Sequence, residues 1–183
     1  RLQLCNLEET RSARTHELLD TPVISASTSV MLPDSPHVRV LLNPSSGRHA
    51  KHHIDMAIAR LESAGWRLRV VRPSSADETR ALGADPEDFD ATILSGGDGT
   101  ISTFLQDAPL DRTVIGIFTS GTANVVARDL ALPLDPLGAA EVILRRHTSA
   151  IDVCEARWPD GSSRRFVLSC SSGAIAQAVA EVS

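Results

Sequence analysis

From Val38 onward, apolar residues fall into short runs that alternate with helix-spaced patterns. Val38-Arg-Val-Leu-Leu42 is a β-rich run that ends in the turn cluster Asn43-Pro-Ser-Ser-Gly47. Ile54, Ile58, Leu61 and Ala64 then recur on one face at a helical period, and Gly65 stops the pattern. Leu68–Val71 predicts a second strand, Ala76–Leu82 a short helix, and Ala91–Leu94 a third strand closed by Ser95-Gly-Gly-Asp-Gly-Thr100. Ile101, Phe104, Leu105 and Ala108 repeat at i, i+3, i+4 and i+7, so a helix opens at that glycine turn. Val114–Phe118 is wholly apolar, as a central parallel strand should be, and Thr119-Ser-Gly-Thr122 is its turn. A helix is expected over Ala123–Leu132. Another is capped by Asp135 with Pro136 in its first turn, where Arg145, Arg146 and His147 suit the C-terminal dipole. Regular strand–helix alternation predicts an α/β fold, a three-layer parallel sheet with helices on both faces.

The flanks read differently. Residues 1–36 are rich in Ser, Thr, Glu and Arg and predict a polar extension or linker, with a short helix over Glu8–Leu19. Residues 37–150 form the α/β unit. Residues 151–183 change grammar: Ile151–Arg157 and Arg164–Cys170 flank a turn at Asp160-Gly161, a hairpin, and Gly173–Val182 reads as a helix. Hairpin and helix are expected to begin a second, β-rich domain whose remainder is absent.

Composition narrows the function classes. A hydrophobic fraction of 42% over 183 residues supports a packed core. The net charge of −5 argues against a nucleic-acid partner, which needs a basic face. No apolar run reaches the roughly 18 residues of a membrane span, and no secretory leader is visible. Cys5, Cys154 and Cys170 are too widely spaced for a disulfide framework or a metal site, which fits a reduced, cytoplasmic setting. His49, His52 and His53 cluster near the first helix without a third ligand at useful spacing and read as a solvated helix start.

The chemistry concentrates in the turns. In Ser95-Gly96-Gly97-Asp98-Gly99-Thr100 the glycines let the main chain bend sharply and approach an anion. The unpaired amides at the following helix start favour negative charge, so this turn can cradle phosphate oxygens, with Thr100 adding a hydroxyl. Asp98 beside phosphate would be repelled without a divalent cation between them, which marks it as a partner of Mg²⁺. Gly121-Thr122-Ala-Asn124 also follows an apolar strand, and Asn43–Gly47 closes the first one. All three turns are expected on the carboxyl rim of the sheet, where open α/β folds bind ligands. Neither the dinucleotide fingerprint nor the Walker phosphate loop is present.

Gly96–Thr100, together with Asn43-Pro-Ser-Ser-Gly47 and Gly121-Thr-Ala-Asn-Val-Val-Ala-Arg-Asp-Leu-Ala-Leu-Pro133, resembles the catalytic domain of the diacylglycerol kinase and sphingosine kinase family, especially its bacterial lipid-kinase branch. The resemblance runs from about Val38 to the end of the chain. It implies an ATP-dependent lipid kinase that transfers the γ-phosphoryl group to a diacylglycerol or sphingoid hydroxyl, with ATP and Mg²⁺. The lipid substrate would be met at a membrane surface by a cytoplasmic, peripheral protein, and a homo-oligomer is compatible with it. Asn43 and Ser46 would lie near the nucleotide. Gly96, Gly97, Gly99 and Thr100 would hold its phosphates. Asp98 would serve metal or catalysis, and Gly121, Thr122 and Asn124 would complete the crevice. Arg128 matches a family arginine in its helix, and Asp152 the family's Ile-Asp at the crossing into the second domain.

Departures from the family pattern are specific. Ser102 and Thr103 stand where Asn-Glu is common, Arg72 and Pro73 stand where a Thr often ends the second strand, and Gly173-Ala-Ile-Ala176 replaces Gly-Phe-Asp-Ala. The family's Asp-Gly-Glu base motif does not occur, so the fragment is expected to be inactive by itself. Two other readings remain: a non-catalytic nucleotide-binding or regulatory module, and another small-molecule kinase sharing the loop, such as an NAD kinase.

Overall fold

The computed structural model describes residues 2–5, 31–44, 51–85 and 87–168. The helices expected over Glu8–Leu19 and Gly173–Val182, and residues Ser46 and His49, lie outside these. A six-stranded sheet carries the structure. It contains β1 (Leu2–Cys5), β2 (His37–Leu42), β3 (Arg67–Val71), β4 (Ala91–Gly96), β5 (Val114–Thr119) and β6 (Thr148–Ile151), in the order β3-β2-β4-β5-β1-β6. β3, β2, β4 and β5 are mutually parallel, with Val40 facing Ile93 and Leu94 facing Ile117 across the strands. The helices are α1 (Lys51–Ser63), α2 (Ala76–Ala84), α3 (Asp98–Leu105), α4 (Val125–Asp129) and α5 (Pro136–Ile143).

The central strands bury both faces, which is why they are nearly continuous in apolar residues. Side chains alternate with period two. Val38, Val40, Ile93 and Phe118 face α1 and α5, where they meet Ile54, Ala57, Leu61, Ala139 and Ile143. Leu41, Leu94, Ile115 and Ile117 face the other way and meet Ile101, Phe104 and Leu105 of α3 and Val126 and Ala127 of α4. The predicted three-layer α/β fold is the one observed.

Four local expectations change. Leu2–Cys5, inside the stretch expected as a polar extension, enters the sheet, parallel to β5 and antiparallel to β6. The run Ile151–Arg157 divides after Ile151: β6 joins the main sheet, while β7 (Cys154–Arg157) pairs with β8 (Ser163–Phe166) in a separate antiparallel hairpin. The helix expected over Ala123–Leu132 is confined to Val125–Asp129, since Asn124 and Ala131 take left-handed conformations at either end. Arg145 and Arg146 lie beyond α5, whose chain turns off at Arg146 with φ of 64°.

Candidate functional site

Because β2, β4 and β5 run parallel, the turns after Leu42, Gly96 and Thr119 emerge on one rim. They are tied together. The Asn43 amide donates to the Ser95 carbonyl at 3.0 Å, and the Ser120 amide to the Gly96 carbonyl at 3.2 Å. Asn43 Nδ2 donates to Thr100 Oγ1 at 2.7 Å. Between these turns and the β3–α2 loop lies a cleft of about 440 Å³, within the size range of small-molecule sites. Asn43, Gly97, Gly99, Thr100 and Gly121 line it.

The first glycine turn leads into an uncapped helix start. Gly97 precedes α3 in an extended conformation without a side-chain cap, so the first amides of α3 lack an intrahelical acceptor. A β-carbon on Gly99 would meet nothing within 4 Å, so the main chain there is open to a ligand. Thr100 is buried, its hydroxyl held by Asn43.

The second turn is different, because its amides are already engaged. Gly121 N–H donates to Asn124 Oδ1 at 3.1 Å, and Asn124 Nδ2 returns a bond to the Gly121 carbonyl at 2.8 Å. The Asp98 carboxylate accepts the amides of Val125 and Val126, each at 3.0 Å, and so caps α4 from across the crevice. Arg128 Nε donates to the Ala123 carbonyl at 3.0 Å. This turn buttresses the first. The contact is so close that a β-carbon on Gly121 would sit 2.5 Å from Gly97 Cα, and only glycine allows it. Gly96, Asp98, Thr122 and Asn124 therefore stand behind or beside the cleft wall rather than in it; Thr122 is exposed.

Sequence reasoning missed the far wall, formed by Pro73, Ser74, Ser75, Ala76 and Thr79, with Thr103 from α3. Its signal was a helix-capping pattern. Ser75 Oγ accepts the Glu78 amide at 3.1 Å, and Glu78 Oε2 accepts both the amide and the hydroxyl of Ser74, at 2.6 and 2.8 Å. The Ser74 amide bond, followed by the hydroxyl bond, holds the Glu78 carboxyl below its ordinary value.

The donor set was weighed for a divalent cation. Among the described residues no three His, Cys, Asp or Glu side chains gather to hold a metal. Mg²⁺ commonly takes one carboxylate together with substrate phosphates and waters, so a single carboxylate suffices. Each Asp98 oxygen accepts one amide and retains a second lone pair, so Asp98 fits such a role only alongside its capping bonds.

The diacylglycerol kinase catalytic domain model matches residues 37–156. The chain belongs to that family. It is 31% identical over 121 residues to diacylglycerol kinases of Staphylococcus aureus strains JH9 and Newman, a match covering 63% of this chain and 38% of theirs. The crystal structure of a diacylglycerol kinase from Bacillus anthracis superposes with a TM-score of 0.54 at 25% identity, covering 66% of this chain and 43% of that one. This chain thus matches less than half the length of these relatives. No helix among the described residues is long and apolar enough to cross a membrane.

Proposed function

We propose that this chain supplies the nucleotide-binding part of a lipid kinase that moves the γ-phosphoryl group of ATP to a lipid hydroxyl. The observation that carries this reading is the cleft at the carboxyl rim, with the uncapped start of α3 as one wall. Phosphoryl transfer depends on positioning and charge neutralisation more than on covalent chemistry by the protein. The amides at Asp98 and Gly99 orient phosphate oxygens and complement their charge. Asn43 and Thr100 lock the turn after β2 to the phosphate turn, so the two cannot drift apart. Asp98 fixes α4 against α3 and offers its remaining lone pairs to Mg²⁺, whose contribution is to offset charge on the transferring group. The Ser74–Thr79 wall encloses the remainder of the nucleotide. Among the described residues no side chain lining the cleft is a carboxylate or histidine, and a base for the acceptor hydroxyl is sought elsewhere in the protein. Lipid contact takes place at a membrane surface, with the protein peripheral to it.

Full-length protein incubated with ATP, Mg²⁺ and diacylglycerol or sphingosine tests the reading. Phosphorylated lipid is expected, with a large loss in Gly99→Val, which fills the open approach to the amides. Turnover unaffected by Gly99→Val would defeat it. The engagement of Asp98 with α4 also favours a second reading, a nucleotide-binding module without catalysis. Calorimetric binding of ATP–Mg²⁺ without lipid phosphorylation by the intact protein would select that one.

A further inference from the structure

The hairpin β7–β8 is fastened to the end of α3 opposite the phosphate turn. Arg165 Nη1 donates to the Leu105 and Ala108 carbonyls at 3.0 and 2.7 Å. The first is at the end of α3 and the second in the turn that follows it, where carbonyls lack intrahelical partners and positive charge is favoured. The Gln106 side chain completes the joint. Its Oε1 accepts the Arg165 amide at 3.0 Å, and its Nε2 donates to the Arg165 carbonyl at 2.9 Å, imitating one rung of a β-ladder. The same Nε2 donates to the Ser102 carbonyl at 2.7 Å, inside α3. Both N–H bonds and the acceptor of this amide are thus used.

We propose that Gln106 and Arg165 are positioning residues, through which the hairpin sets where the phosphate-binding end of α3 stands. α3 has eight residues, a span of about 12 Å. Asp98, Gly99, Thr100 and Thr103 occupy one end and side of it, and the clamp holds the other end. So short a helix, pinned along one face by Ile101, Phe104 and Leu105, transmits displacement of its last turn to its first. Its first turn has no side-chain cap of its own; Asp98 ties it to α4 and Thr100 ties it to Asn43, and the clamp sets the far end of the helix against these anchors. Neighbouring arginines of the hairpin do not share the role. Arg164 is exposed, and Arg157 pairs with Glu155 within the hairpin. The effect on catalysis rests on the nucleotide reading above; the mechanical coupling does not.

The test compares full-length wild-type protein with Arg165→Ala, Gln106→Met and the control Arg164→Ala. Hydrogen exchange across residues 97–101 is read at the amides of Thr100 and Ile101, which bond the Gly97 carbonyl, and, as an internal reference, in β4 and β5. ATP–Mg²⁺ affinity is measured by calorimetry. Arg165→Ala and Gln106→Met are each expected to speed exchange at residues 97–101 about three- to tenfold, as loss of one or two hydrogen bonds implies. Exchange in β4 and β5 stays unchanged, and ATP–Mg²⁺ affinity falls by a similar factor. The double variant should do little more than the stronger single one, because the two side chains act as one joint. Unchanged exchange at residues 97–101, or an equal rise in β4 and β5, would overturn the proposal by showing that the joint serves stability alone. Accelerated exchange at residues 97–101 in a protein that binds no ATP–Mg²⁺ upholds the coupling and defeats the nucleotide reading instead.

Discussion

Asp98 Oδ1 accepts the Val126 amide at 3.0 Å, although the two residues belong to different helices that follow different strands. The other carboxylate oxygen takes the Val125 amide. A residue marked by its motif as a phosphate-site carboxylate thus acts as the N-cap of a neighbouring helix, a place Asn124 leaves open by turning to Gly121. Asp98→Ala removes both acceptors and is expected to destabilise the protein by about 1–2 kcal/mol. Asp98→Asn keeps one acceptor and should lose roughly half as much. Thermal unfolding of the three proteins measures this. Equal midpoints for wild type and Asp98→Ala would contradict the cap.

Gly121 and Gly97 define the closest approach between the two glycine turns. Gly121→Ala would place a β-carbon 2.5 Å from Gly97 Cα and 2.9 Å from Asn124 Oδ1. The turns must separate, at an expected cost of about 1–3 kcal/mol, and the cleft is distorted with them. Denaturant unfolding should register the loss. A Gly121→Ala protein as stable as wild type would mean that the turns are not in contact.

How far the sequence disclosed this arrangement depends on the range of the interaction responsible. β2, β4 and β5 were legible because burial on both faces demands unbroken apolar runs such as Val114–Phe118. The Gly96–Thr100 turn was legible because its glycines and the helix period after it are adjacent in sequence. Leu2–Cys5 was not, since four residues carry too little pattern and their place between β5 and β6 is fixed by partners more than a hundred residues away. The division at Asp152 was hidden for the same reason: β6 is drawn to β1, not to β8. The motif also concealed that Asp98 faces α4, because a cap borrowed from another helix leaves no local spacing to read.

Arg39 is 4% exposed in the middle of β2, an unusual place for a guanidinium. Nη1 pairs with Asp85 at 3.0 Å, Nη2 donates to Thr92 Oγ1 at 3.2 Å, and the group lies over the rings of Phe89 and Phe104. Burial lowers its pKa and the Asp85 charge opposes that shift. Arg39→Ala leaves both a cavity and an unpaired carboxylate that is partly open to water, with an expected cost of about 2–4 kcal/mol. Arg39→Met keeps the volume and leaves no unsatisfied Nε, so it should cost clearly less. Chemical denaturation separates the two. Equal losses would show that the charge, not the packing, matters there.

Glu78 ties the cleft's far wall to protonation. Its carboxyl is held below the ordinary 4.5 by the Ser74 amide and hydroxyl. A depressed carboxyl contributes stability that is present above the unfolded pKa and is lost as pH falls through the folded one. The contribution of Glu78 is therefore complete at neutral pH and is lost as pH falls from the ordinary 4.5 through the lowered folded value. The midpoint difference between wild type and Glu78→Gln should be constant from pH 7 to 5 and shrink towards pH 3. A difference that stays constant down to pH 3 would mean that the carboxylate is not the acceptor of the Ser74 bonds.

Gly99 allows stability and ligand binding to be separated at a single position. A β-carbon there meets no atom within 4 Å, so Gly99→Ala introduces no clash, and in the first turn of α3 it removes backbone freedom from the unfolded chain. Stability should be unchanged or higher by up to about 1 kcal/mol. If the proposed reading holds, with phosphate oxygens approaching the main chain here, the same methyl group crowds them, and ATP–Mg²⁺ affinity should fall about tenfold or more. Thermal unfolding and calorimetry on one preparation give both quantities. Undiminished affinity would show that the nucleotide does not approach the main chain at α3. A matching fall in stability would trace the lost affinity to disorder of the turn, not to a blocked approach.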